Sequence, residues 1–62
     1  MILNDIYLTF FWQGQLLDIS VYNIARPIGK QDMCYIYGSN ANSKTNQFIY
    51  IYLHQIVSIK ES

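Results

Sequence analysis

What this sequence has little of limits it before anything it contains does. Charged residues make up 13% of the chain, about half the usual share of roughly 25% in globular proteins. Four basic and four acidic side chains cancel to a net charge of zero. Binding that neutralises many phosphates needs clustered Lys and Arg, and mimicry of a polyanion needs an acidic surface. The scattered charges supply neither. Cys34 is the one cysteine, which excludes a disulfide within the chain. With His54, the one histidine, it cannot complete a four-ligand zinc site. Long apolar runs are missing too. The longest, Ile6 to Trp12, contains Thr9 and is far short of a membrane span. The first residues lack a basic stretch, carry Asp5 early and show no small-residue cleavage site. Together with a free cysteine, this makes a cytoplasmic location the expectation, with no membrane partner.

The chain has 62 residues, which predicts one small domain over 1–62. A domain of this size buries only about 60% of the surface its unfolded chain exposes. Burial then barely offsets an ordering cost of roughly 1.5 kcal/mol per residue. Disulfides and zinc are excluded, so association is the remedy left. Composition agrees: 52% hydrophobic and 16% aromatic residues exceed what a small core can hide. A homo-oligomer or a permanent larger protein partner is therefore expected.

Apolar residues alternate with period two, the mark of half-buried strands. Ile6, Leu8 and Phe10 share one face, and Leu17, Ile19 and Val21 share another. A two-residue turn at Gln13 and Gly14 would pair Trp12 with Gln15, Phe10 with Leu17, Leu8 with Ile19 and Ile6 with Val21. Both strands then bury the same face, which a slip of one residue would destroy. Arg26, Pro27, Ile28 and Gly29 break the pattern. A third strand is predicted over about Met33 to Tyr37, a polar loop over Gly38 to Asn46, and a fourth strand over about Gln47 to Leu53. Pairing Gly38 with Gln47 aligns Ile36 with Ile49 and Cys34 with Ile51 on the inner face. It sets Tyr37 against Phe48, Tyr35 against Tyr50 and Met33 against Tyr52 on the outer one. His54 and Gln55 read as a one-turn corner, followed by a short strand from Ile56 to Glu61. Leu16 to Ala25 stays open between strand and amphipathic helix.

Strand, glycine turn, strand, break, strand, polar loop, strand and a closing Leu53, Ile56, Ile59 spacing together resemble the SH3-like and Sm-like barrels. Within YLHQIVSIKE the closing spacing is similar to the end of WYL domains, and Met33 to Tyr37 (MCYIY) sits where those domains carry an aromatic strand. The layout is also similar to the Rho-binding antiterminator family, small Sm-like proteins that bind a transcription terminator. The resemblance implies an all-β fold: a small, partly open SH3-like or Sm-like barrel of four to five antiparallel strands. It carries over no functional residue. WYL domains bind through basic residues, of which only Arg26 could serve here, and the antiterminators have an acidic partner-facing surface that this chain lacks.

Candidate chemistry is thin. His54 has no argued nucleophile or orienting carboxylate, and a surface corner position explains it. Cys34 alternates onto the inner face, where a free cysteine packs as a small hydrophobe. Asp5, Asp18, Asp32 and Glu61 show no paired spacing for acid–base work or metal binding. No catalytic residue, cofactor or metal is therefore expected, and the chain is read as non-enzymatic. One constellation stands above background: Tyr35, Tyr37, Phe48, Tyr50 and Tyr52 share the outer face of the third and fourth strands. Tyrosine brings large apolar area with a polar tip, which suits protein interfaces. The rings could equally serve as cross-strand ladders; that alternative stays open. Stacking of single-stranded nucleic-acid bases ranks below both, since basic companions are missing.

The sequence thus predicts a protein-binding module: a small stand-alone regulator or inhibitor acting on a larger protein. The style is that of phage and mobile-element proteins, by analogy only. The alternative is an Sm-like module for single-stranded nucleic acid or RNA.

Overall fold

A computed structural model describes residues 5–61. They form five antiparallel strands in one sheet: β1 (Ile6–Trp12), β2 (Gln15–Ala25), β3 (Met33–Asn40), β4 (Asn46–Tyr52) and β5 (Ile56–Glu61). The order across the sheet is β4-β3-β2-β1-β5. A single 3-10 turn, Leu53–Gln55, joins β4 to β5. The fold is all-β, the sheet is not closed, and its form is compatible with a small barrel-like architecture.

Both predicted hairpin registers hold residue for residue. In the first, Trp12 faces Gln15, Phe10 faces Leu17, Leu8 faces Ile19 and Ile6 faces Val21. Gln13 and Gly14 turn the chain at φ 51° and 76°, the paired positive values of a type I′ turn. In the second, Cys34 faces Ile51, Ile36 faces Ile49 and Gly38 faces Gln47. Every inward residue of the two hairpins meets another inward residue, so pattern and pairing reinforce each other.

The core follows from this parity. Leu8, Phe10, Leu17, Ile19, Cys34, Ile36, Ile49 and Ile51 form one buried cluster, with Trp12, Val21 and Ile56 packed at its margin. A single open sheet can bury its own face only by curling. The curl is placed at two register shifts, one in β2 between Val21 and Asn23 and one where β1 meets β5 between Thr9 and Phe10. Bulges of this kind bend a strand and increase its twist.

Four sequence expectations are corrected. The helix alternative for Leu16 to Ala25 fails, because β2 runs unbroken as strand to Ala25. The polar loop does not begin at Gly38. The chain stays in β3 through Asn40, and the loop shrinks to 41–45. The predicted fourth strand also runs one residue long, since Leu53 already belongs to the 3-10 turn. The spacing Leu53, Ile56, Ile59 does not close a barrel. Ile59 faces the core side opposite Leu8 yet is 64% exposed, and Leu53 is also exposed. Only Ile56 packs against the cluster. No β4–β5 pairing seals the sheet, so residues near that opening lack cover from the far side.

The short loop is built around one buried polar residue. Asn40 accepts from the Asn42 N–H at 2.9 Å and donates through Nδ2 to Gln47 Oε1 at 2.8 Å. Its own N–H donates to the Thr45 carbonyl, and the Ala41 N–H donates to the Asp18 carbonyl of β2. On the opposite side, the turn after β2 is tied by Lys30 N–H donating to the Pro27 carbonyl and by the Arg26 guanidinium donating to the Gln31 carbonyl. No helix among the described residues is long and apolar enough to cross a membrane.

Candidate functional site

The ladder between β3 and β4 fixes the outer face. Leu53 N–H donates to the Asp32 carbonyl at 2.7 Å, and Asn40 N–H donates to Thr45 at 2.9 Å. These bonds bracket the pair at its two ends. By the alternation of an antiparallel ladder, the pairs Cys34–Ile51, Ile36–Ile49 and Gly38–Gln47 exchange backbone bonds. Tyr35–Tyr50 and Tyr37–Phe48 are then the non-bonded pairs, whose side chains lie closest.

That closeness is realised. The Tyr35 and Tyr50 rings stack with centroids 4.3 Å apart at 29°. Tyr35 also meets Phe48 at 5.4 Å, and Phe48 meets Tyr37 at 6.4 Å. Tyr37 in turn touches Tyr22 of β2 at 5.8 Å. A continuous row of rings therefore crosses three strands. Tyr52 stands on the same face at the end of β4, but its ring partner is His54 of the 3-10 turn, stacked at 5.4 Å.

All five aromatic residues named from the sequence lie on this outer face. Four of them, Tyr35, Tyr37, Phe48 and Tyr50, are joined by ring contacts. Tyr35 is half-buried by its neighbours, whereas Phe48 is 67% exposed. Sequence reasoning missed Tyr22, which is 60% exposed and extends the row by one strand. Alternation through β2 would have placed Tyr22 outward with Asp18 and Ser20. Its nearness to Tyr37 depends on the β2–β3 pairing, which local pattern does not reveal. His54, read as a surface corner, is exposed as expected, and with Tyr52 it forms a separate stacked pair. Ile28, at the tip of the turn after β2, is fully exposed.

The electrostatics of the face are weak. Burial pushes the Tyr50 hydroxyl above its ordinary value, with smaller pushes from Tyr35, Tyr52 and Asp32. β3 and β4 carry no charged residue. Arg26, just past the end of β2, is engaged with Gln31. Cys34 sits on the opposite, inner side, where burial raises its thiol and Arg26 partly offsets the rise. Among the described residues no three His, Cys, Asp or Glu side chains gather into a metal-binding group, and no pocket forms. The chemistry available here is apolar and aromatic contact with hydroxyl hydrogen bonding at the rim.

No protein-family model, curated protein or solved structure matches the chain.

Proposed function

We propose that this chain is a non-enzymatic protein-binding module, a small regulator or inhibitor that docks on a larger protein through its aromatic sheet face. One observation carries the reading. Tyr22, Tyr37, Phe48, Tyr35 and Tyr50 form one unbroken ring row on the outside of the sheet, with Phe48 and Tyr22 left largely exposed. Cross-strand packing accounts for the stacked Tyr35–Tyr50 pair. It leaves the outward surfaces of Phe48 and Tyr22 unexplained. Rigid aromatic side chains held by neighbours lose little entropy on binding, and aromatic residues are enriched at the centres of protein interfaces.

The test is capture of partners from cells of the source organism by the tagged chain and by a variant with Tyr35→Ser, Tyr37→Ser and Tyr50→Ser together. Circular dichroism would verify that the strands persist. The expected result is a protein retained by the parent and lost by the triple variant. Identical capture by both would sink the reading. So would tight, salt-sensitive binding of single-stranded nucleic acid by the parent, which would favour base stacking on the same rings.

A further inference from the structure

The two edges of this sheet are built differently. Natural sheets blunt their edges with charge, proline, bulges or a covering element, because unpaired N–H and C=O groups recruit other strands. β5 carries Lys60 and Glu61 and is bulged where it meets β1. β4, the other edge, reads NQFIYIY: seven residues with no charge, no proline and no glycine. Its ladder with β3 is regular from Met33–Tyr52 to Ser39–Asn46. Among the described residues no strand covers its outer side.

The backbone bonds identify which groups that side presents. Gln47, Ile49 and Ile51 direct their N–H and C=O toward β3, and so does the N–H of Leu53, which donates to the Asp32 carbonyl. Phe48 and Tyr50 therefore direct theirs away. Tyr52 also points away, but its N–H is already taken, donating to Gln55 Oε1 at 2.7 Å. The open stretch is bounded by that cap and centres on Ile49.

We infer that β4 pairs with β4 of a second copy of this chain, antiparallel about a two-fold axis at Ile49. This register sets Phe48 against the second copy's Tyr50, and both pairs exchange N–H···O=C bonds. It uses every outward group of Phe48 and Tyr50 and leaves the Gln55 cap on Tyr52 undisturbed. Inward residues meet inward residues, with Ile49 on Ile49. Outward aromatics meet outward aromatics, so the two ring rows join into one face. An uncharged strand on a chain of zero net charge meets its copy without repulsion. The strand is self-complementary under the two-fold operation, as an isologous dimer requires. This inference rests on the sheet edge and is independent of what the aromatic face binds.

The test measures solution mass by light scattering after size exclusion, for the full chain and two variants. The parent should run at twice the 7.3 kDa chain mass. Tyr50→Pro should be monomeric with its strand content kept, because the N–H it removes faces away from β3 and proline is tolerated on such an edge. Tyr50→Ala, which keeps the N–H, should remain dimeric. A parent that stays monomeric at about 0.5 mM, weaker than a millimolar-range affinity would allow, overturns the inference. Mass that climbs without limit overturns the closed dimer as well, and so does a Tyr50→Pro variant as dimeric as the parent. Should that variant fail to fold, disulfide trapping decides. Phe48→Cys mixed with Tyr50→Cys should cross-link under mild oxidation well above either variant alone, and equal yields in all three samples would refute the register.

Discussion

Gly38 of β3 lies directly across from Val21 of β2, and a Cβ built on it would stand 2.3 Å from the Ser20 carbonyl oxygen. The same added atom would lie 2.6 Å from Ile19 Cγ2. Its backbone is ordinary strand, so the constraint is space and not conformation. The register shift of β2 follows immediately after this pair.

Gly38→Ala is therefore expected to destabilise the fold by about 3 kcal/mol, the upper part of the range for forcing atoms into a packed site. The obstacle is backbone, which cannot rotate aside. Urea denaturation checks it, and a loss below about 0.5 kcal/mol would show that β2 yields there at little cost.

Asn40 is 6% exposed, and its side-chain bonds reach the Asn42 N–H and the Gln47 amide. Asn40→Ala removes both bonds at once and leaves the Asn42 N–H and Gln47 Oε1 facing a small apolar group. A loss of about 2 kcal/mol is expected from the unmet groups. Faster amide exchange confined to 41–45 should accompany it. Unchanged exchange in that loop would mean the backbone bonds from Thr45 and Asp18 hold it alone.

Burial raises the Cys34 thiol above its ordinary value of 9.0, so the folded state favours the protonated form. The stability this represents is fully present below the unfolded pKa and is lost as pH rises through the folded one. Tyr50 is raised as well and adds a decline of the same sign at higher pH. Cys34→Ala should thus flatten part of the fall in stability as pH rises above the ordinary thiol value of 9.0, although packing loss lowers its curve throughout. Parallel curves for parent and variant would overturn the assignment to Cys34.

The two hairpins were legible in the sequence because both strands of each alternate strictly and one register sets apolar residues against apolar residues on a single face. Phe10 opposite Leu17 and Ile36 opposite Ile49 follow once the turn residues are placed. The outer aromatics of β3 and β4 were legible for the same reason. Gly38 misled because glycine before a polar run looks like a strand end. Here it permits the approach of a strand remote in the chain, which a local pattern cannot report. Leu53 and Ile59 misled because apolar spacing says which side a residue faces, not whether anything covers it at a sheet opening.

The register shift in β2 changes the phase of the strand. Up to Val21 the odd-numbered residues face the core; beyond it Asn23 sits opposite Tyr37 and Ile24 opposite Ile36, so even numbers take over. Tyr22 is the residue inserted at the phase change. It has no ladder partner, yet its ring stands against Tyr37. One extra residue thus supplies both the bend and the third strand's share of the aromatic surface. Deleting Tyr22 would restore a single phase in β2, lessen the bend there and narrow that surface in the same stroke, whereas replacing its ring alone would narrow the surface and keep the bulge.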